Sequence, residues 1–298
     1  DFGTKDRKGL WLALREVLQF WIDQGVTVFR VDNPHTKAFP FWEWVIESLK
    51  ADHPELIFLA EAFTRPKRMA TLAKLGFTQS YTYYTWKNTR WEIEEYLSEL
   101  SSDLAPFLRP NFFANTPDIL HEYLQRGGRP AFQIRLILAG TLSPTYGIYS
   151  GYEFCENAPV REGSEEYLDS EKYEVKHRPE DAPGSLVGLI TKLNDIRRAH
   201  PALSRVDNLQ FQRPHNDEVL AFTKILGNDR LLVVAGLTPG KELESMVDLD
   251  LQSLGLDFTR PYEVTDLLND ATYTWSGSSN YVRLFPDHPV HILRVSQS

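Results

Sequence analysis

Cysteine is nearly absent. Cys155 is the only one in 298 residues, which rules out an internal disulfide and any cysteine-based zinc site. A chain without disulfides suits a reducing compartment, so a cytoplasmic location is expected. Basic residues are in deficit: Lys plus Arg number 32 against 41 Asp plus Glu, a net charge of −9. That field opposes binding to nucleic acid or to an anionic membrane surface. Long apolar runs are missing, and those present, such as residues 231–236, have strand length rather than the roughly 18 residues of a membrane span. The sequence has no glycine-rich phosphate loop and no His, Asp or Glu set at metal-ligand spacing, so no nucleotide, metal or other cofactor is expected. It also lacks a signal peptide and an initial methionine; opening on Asp1-Phe2-Gly3, it reads as one piece of a longer or processed chain.

What is present describes a folded protein. Apolar residues make up 42% and charged residues 24%, and the length suits about two domains. Leu10, Leu12, Leu14, Val17, Leu18 and Trp21 recur at helical spacing, which predicts a helix over 9–24 that Gly25 stops. Short apolar or β-branched runs predict strands at 27–32, 56–62, 79–84, 111–115 and 143–150. Helical patterns at 41–51, 67–75, 91–100, 131–139 and 186–199 alternate with them. Nearly continuous apolar strands separated by helices indicate a parallel sheet with both faces covered. The polar stretch 151–185 is too long for an ordinary connection, and loops of that length often form part of an active site. After Pro201, strand patterns at 219–224, 230–237, 262–266 and 291–295 are parted by turn signals such as Gly227-Asn228-Asp229 and Pro239-Gly240. An α/β part over 1–203 and a small antiparallel β domain over 204–298 are therefore expected.

Three carboxylates occupy matching places. Asp32 ends the first predicted strand, Glu61 lies near the end of the second, and Asp118 follows the fourth. In parallel barrels the C-terminal strand ends converge on one mouth, where active sites lie. Paired carboxylates there suit glycosidic chemistry: one attacks the anomeric carbon, and the other protonates the departing oxygen and later acts as base. The plainer reading is that strand-end acids cap helices or pair with Arg30 and Arg65. Three acids at three strand ends weigh against it.

Residues 25–35 (GVTVFRVDNPH), 58–63 (FLAEAF), 112–118 (FFANTPD) and 143–153 (SPTYGIYSGYE) resemble, in order, the conserved regions of the α-amylase superfamily, glycoside hydrolase family 13. The finer wording around Asp32-Asn33-Pro34-His35-Thr36-Lys37, Glu61-Ala62-Phe63-Thr64-Arg65-Pro66, residues 84–89 (YTWKNT) and residues 114–118 (ANTPD) resembles the GlgE maltosyltransferase family. The resemblance implies an α/β fold, the C-terminal part of a (β/α)8 TIM barrel followed by a small antiparallel β-sandwich. It implies a retaining glycosyltransferase that moves maltosyl units from α-maltose 1-phosphate to the non-reducing end of α-1,4-glucans, through a β-glycosyl-enzyme intermediate. Asp32 would be the nucleophile, Glu61 the general acid/base, and Asp118 the third acid, binding sugar hydroxyls. Arg30 would keep the nucleophile ionised, His35 would contact sugar or loop, and Asn33, Lys172 and Tyr173 would lie near the phosphate. A homodimer is implied as well.

The chain departs from the superfamily at Asn115-Thr116-Pro117-Asp118, where a His usually precedes the third acid. Five strand–helix units are visible against eight in a full barrel, so the N-terminal part of the same enzyme is an expected partner. Tyr81, Tyr83, Tyr84 and Trp86 are candidates for a sugar-stacking wall, at least half of them expected to serve packing instead. Cys155 is expected to be an unreactive residue near the site. An amylase-type hydrolase or transglycosidase, a non-catalytic glucan-binding protein and a fragment inert without its preceding half remain as alternatives.

Overall fold

The structure, a computed structural model, describes residues 1–179 and 182–297. Two positions of the long polar stretch, 180 and 181, and the last residue, 298, lie outside the described residues. The chain forms two compact units, one of residues 1–83 and 102–111, the other of 84–101 and 112–298.

The first unit alternates helix and strand as its periodicity predicts. Helix α1 (Arg7–Asp23) is capped by the Asp6 carboxylate, which accepts from the Gly9 N–H at 3.0 Å. Strand β1 (Val28–Asp32), helix α2 (Phe39–Asp52), strand β2 (Ile57–Glu61), helix α3 (Pro66–Lys74) and strand β3 (Gln79–Tyr81) follow. Pro40 in the first turn of α2 and Pro66 at the start of α3 sit where a missing N–H costs nothing. In α2, Phe41, Trp42, Val45, Ile46 and Leu49 form one buried stripe, packing with Leu56, Phe58 and Ala60 of and beside β2. All strand pairs in this unit are parallel: β1 with β2 from Val28↔Ile57 to Asp32↔Glu61, β2 with β3, and β3 with residues 110–111 of β4 (Pro110–Phe113).

One expectation fails here. Both faces of the parallel strands were predicted to be covered, and β2 is, but β1 alternates between exposed and half-buried residues. Val28 is 49% exposed, and Val17, Phe20 and Trp21 of α1 are half exposed too. Among the described residues β1 pairs with β2 alone, so one edge of this strand has no neighbour.

The second unit holds α4 (Arg90–Ser101), the end of β4, α5 (Glu122–Leu142), β5 (Thr145–Gly147) and α6 (Val187–Ala199). Helix α5 starts well before the predicted residue 131. Its first turns precede a break at Gly128 (φ 57°), with Pro130 just after. From Ala131 to Leu142 every residue is buried. The end of β4 approaches β5 closely, the Ala114 N–H donating to the Gly147 carbonyl at 3.1 Å. A Cβ at Gly147 would lie 2.3 Å from the Phe113 ring, so any larger residue there would have to displace that ring. Arg197 of α6 donates to the carbonyls of Gly140, Ser143 and Pro144 and so ties the α5–β5 turn.

Beyond α6 the chain is all β. A six-stranded antiparallel sheet has the order β12-β11-β14-β9-β8-β6, built from Thr272–Trp275, Tyr262–Asp266, Val290–Ser296, Asp229–Gly236, Val219–Leu226 and Leu209–Phe211. A three-stranded sheet has the order β13-β10-β7, from Ser279–Leu284, Leu243–Asp248 and Arg213–Pro214. Side chains of both sheets, among them Val219, Val234, Val247, Val264 and Val282, share one core. The four strands read from sequence are present, and five more accompany them: β6, β7, β10, β12 and β13.

Candidate active site

In the first unit the parallel register makes Asp32 and Glu61 direct partners at the C-terminal ends of β1 and β2. The next ladder bond runs from the Asn33 N–H to the Glu61 carbonyl, 3.0 Å. Asn33 then turns the chain in the left-handed region (φ 47°, ψ 49°), which asparagine tolerates better than most residues. Its carbonyl accepts from the Thr36 N–H and hydroxyl, and its side-chain amide donates to Asp32 Oδ1 at 2.9 Å. The buried Trp42 indole N–H holds the Pro34 carbonyl at 2.9 Å, fixing the same turn. His35 lies inside it, and its buried Nδ1 has no hydrogen-bond partner.

The two carboxyls have opposite surroundings. Asp32 is exposed, whereas Glu61 is 6% exposed. Burial pushes the Glu61 pKa up to about 7, and a hydrogen bond with Asp32 adds to it, against the pull of Arg30. Near neutral pH Glu61 is therefore present as both acid and base. Arg30, two residues before Asp32 and on the same strand face, reaches across the ladder to Glu61 at 2.6 Å. Sequence reasoning paired this cation with the nucleophile; the ion pair in the structure falls on Glu61. Tyr81 at the end of β3 lies beneath Arg30, its ring centre 5.9 Å from the guanidinium carbon.

In the second unit, Asn115 is fully buried just after β4. Its amide donates to the Tyr167 hydroxyl at 2.6 Å and its Oδ1 accepts from the Tyr149 N–H at 2.7 Å. Residues 116–119 then close a tight turn through reciprocal Thr116 and Ile119 backbone bonds, which presents Asp118 at its corner. Lys172 forms an ion pair with Asp118 and lies 5.4 Å from the Tyr173 ring centre. The bond to Asp118 holds the Lys172 pKa above its usual value. Tyr173 itself is 79% exposed. The backbone of Lys172 is set by the Ser170 hydroxyl, which also meets the Tyr149 hydroxyl.

The predicted residues thus form two groups, Arg30, Asp32, Asn33 and Glu61 in the first unit, and Asp118, Lys172 and Tyr173 in the second. The aromatic candidates divide. Tyr84 is fully buried, stacked on Phe112 and bonded to the Arg135 carbonyl, so it packs. Tyr81 is buried under Arg30, and Trp86 donates its indole N–H to Glu165 at 3.0 Å. Burial pushes the Cys155 thiol up to about 11, leaving it protonated and unreactive. Sequence reasoning missed Arg178. It holds Glu156 through a bidentate pair (2.6 and 3.0 Å) and Glu171, the neighbour of Lys172, at 3.0 Å. The alternating charges of residues 171–178 were its only signal. Among the described residues no group of three metal-binding side chains exists, and no helix is long and apolar enough to cross a membrane.

Comparison with known proteins adds to this geometry. Residues 211–295 match the family model described as GLGE, C-terminal. The chain is 55% identical over 295 residues to alpha-1,4-glucan:maltose-1-phosphate maltosyltransferase 2 of Streptomyces coelicolor, covering 97% of this chain and 44% of that protein. It is 48% identical over 302 residues to the maltosyltransferase of Methylacidiphilum infernorum, covering 100% of this chain and 45% of that protein. It therefore spans less than half the length of these relatives. Among solved structures it is similar to an α-amylase from Geobacillus thermoleovorans complexed with acarbose (TM-score 0.79, 13% identity, 99% of this chain and 66% of that one). It is also similar to the maltogenic α-amylase AmyB from Thermotoga neapolitana (TM-score 0.73, 16% identity, 100% and 68%). At that identity the likeness shows the fold alone: α-amylase-like, mixed α/β with antiparallel sheets.

Proposed function

We propose that this relative of the GlgE maltosyltransferases is the C-terminal part of an α-1,4-glucan:maltose-1-phosphate maltosyltransferase. Residues 1–203 would complete a (β/α)8 barrel together with preceding strands, and residues 204–298 form its β-sandwich. The unpaired edge of β1 supports the first point, and the family match over 211–295 the second. The observation that carries the reading is the pair at the β1 and β2 ends: an exposed Asp32 hydrogen-bonded to a buried Glu61 whose pKa is about 7.

That pair supports a two-step retaining mechanism. An Asp32 oxygen forms a bond to the anomeric carbon of the donor while the bond to the phosphate oxygen breaks, its electrons leaving with phosphate. Glu61 in its acid form gives the departing group a proton. In the second step the acceptor 4-hydroxyl attacks the β-maltosyl ester, Glu61 takes its proton, and Asp32 departs as carboxylate. A group poised near pH 7 performs both duties, because each protonation state is well populated. A retaining pair stands about 5–5.5 Å apart, too close for the water that inversion requires between its carboxyls. Asn33 orients the Asp32 oxygen it bonds, and Asp118 binds sugar hydroxyls. Phosphate is an anion in a protein of net charge −9, so it needs local donors, which Lys172 and the Tyr173 hydroxyl supply.

The test uses the full-length protein that contains this chain, given α-maltose 1-phosphate and maltohexaose. Phosphate release, extension of the acceptor by two glucose units and α-configured products are expected, all lost in Asp32→Ala. Hydrolysis of maltohexaose without use of the phosphate donor would instead support an amylase-type enzyme. A β-configured product would overturn the retaining mechanism.

A further inference from the structure

Tyr273 and Trp275 of β12, Tyr281 and Arg283 of β13, and Phe285 just beyond line a cavity of about 320 Å³ in the antiparallel part of the chain. None of the catalytic candidates borders it. Positions two apart share a strand face, so each strand turns its alternate side chains toward this hollow. Tyr273, Tyr281 and Phe285 are 46%, 53% and 41% exposed. Strands β12 and β13 each stand at the edge of their sheet. The aromatic lining is therefore assembled from two sheet edges and is only partly used by the core beneath it.

Charge narrows the ligand. Arg283 is already paired with Glu242 at 2.6 Å. His291 is paired with the buried Asp266 at 2.7 Å. The charged groups of the lining therefore come in pairs, each cation with its own carboxylate. What the cavity offers is aromatic surface, with Arg283 lying over the Phe285 ring at 5.0 Å and the Tyr281 hydroxyl donating to Glu244 at 2.7 Å, and hydrogen-bonding groups at the rim, the Asn269 amide and the His288 ring, themselves 3.2 Å apart. Ring faces meet the apolar C–H faces of a sugar, and amide and imidazole groups meet its hydroxyls.

We propose that this cavity is a carbohydrate-binding site that holds a segment of α-1,4-glucan without reacting with it. Its class, a neutral sugar, follows from the lining; that the sugar is an α-1,4-glucan rests on the function proposed above. A glucan held here raises the local concentration of its chain ends, so the site acts on long polymer and not on short acceptors.

The test is electrophoresis of the full-length protein in native gels containing glycogen. In Tyr273→Ala and Phe285→Ala, retardation by glycogen is expected to weaken about fivefold or more, the scale of a lost aromatic contact. Tyr273→Phe keeps the ring and should keep the retardation. Turnover of maltohexaose with the phosphate donor should be unchanged in all three, and their melting temperatures should match the parent. Undiminished retardation in both alanine variants overturns the site, as does a loss in Tyr273→Phe equal to that in Tyr273→Ala. Binding is read without turnover, so a parent protein that fails to transfer maltosyl units would sink the proposed function while the gel still decides the cavity.

Discussion

Glu61→Gln should inactivate the enzyme and stabilise its fold, in a pH-dependent way. Glutamine has the shape of a neutral glutamic acid, so the variant removes the cost of charging a buried carboxyl while keeping its packing. The Glu61 pKa is raised from 4.5 to about 7 in the fold. The folded state therefore binds more protons than the unfolded chain between those values, and stability falls as pH rises through that window. Below about 4.5 both states carry neutral Glu61 and there is no cost; above about 7 the cost is complete. A shift of about 2.5 pH units at about 1.4 kcal/mol per unit amounts to about 3 kcal/mol. The opposing pull of Arg30 is already included, because the pKa of about 7 is the outcome of both effects. The assay is thermal unfolding of the full-length parent and variant at pH 4 to 9. The two should melt together at the acid end and diverge toward neutrality, with the variant higher by several degrees above pH 7. A constant difference at all pH values, or a parent more stable than the variant at pH 8, would refute the argument that burial governs this carboxyl.

Lys172→Ala should weaken use of α-maltose 1-phosphate far more than use of α-maltosyl fluoride, by roughly tenfold or more in relative kcat/KM, since a fluoride donor lacks the phosphate it serves; equal losses would remove Lys172 from the phosphate site. His291 donates through both ring nitrogens to acceptors, the Asp266 carboxylate and the Arg283 carbonyl, so it is cationic in the fold. Burial opposes that charge, yet the two acceptors outweigh it and its pKa is raised above 6.5. Its contribution is full below about 6.5 and lost as pH rises through the higher folded value, so His291→Asn should cost most stability near pH 6 and less toward pH 9; a cost that grows with pH would contradict the assignment. Produced alone, residues 1–298 expose the β1 edge and the half-exposed aromatic residues of α1, and should associate or aggregate; a cooperative 34.3 kDa monomer in sedimentation would count against this.

Much of this was readable before any coordinates. Strand-end placement of Asp32 and Glu61 followed from short apolar runs that end in an acid. The largely buried strands β8 and β9 showed themselves through the apolar runs at 219–222 and 231–235. Strands β10 and β13 did not, because one face of each meets solvent: Ser279–Leu284 alternates exposed and buried residues along its length. Strand β12 has three exposed residues and one half-buried, leaving almost no apolar pattern to read. The first turns of α5 were hidden by Gly127 and Gly128, whose intrinsic preference opposes a helix and whose second member does break it. In the site, sequence named Arg30 but not its partner. Two carboxylates end adjacent strands, and only the path of the guanidinium decides which one it meets. The joining of Lys172 to Asp118, 54 positions apart, was equally beyond local pattern.

The long segment after β5 is fastened in two different ways along its length. Residues 158–168 are held by backbone bonds, with Pro159 bridged to Tyr167 and the Leu168 N–H on the Ala158 carbonyl at 2.9 Å. Residues 170–178 are held largely by charge, through Lys172 with Asp118, Lys176 and Arg178 with Glu156, and Arg178 with Glu171. Ionic strength therefore reaches one half and not the other. As the screening length contracts from about 8 Å at physiological salt to about 3 Å at 1 M, the partly exposed pairs weaken while the backbone bonds hold. Salt becomes a handle on this loop: the portion carrying Lys172 and Tyr173 loosens, and the portion that meets Asn115 through Tyr167 stays in place.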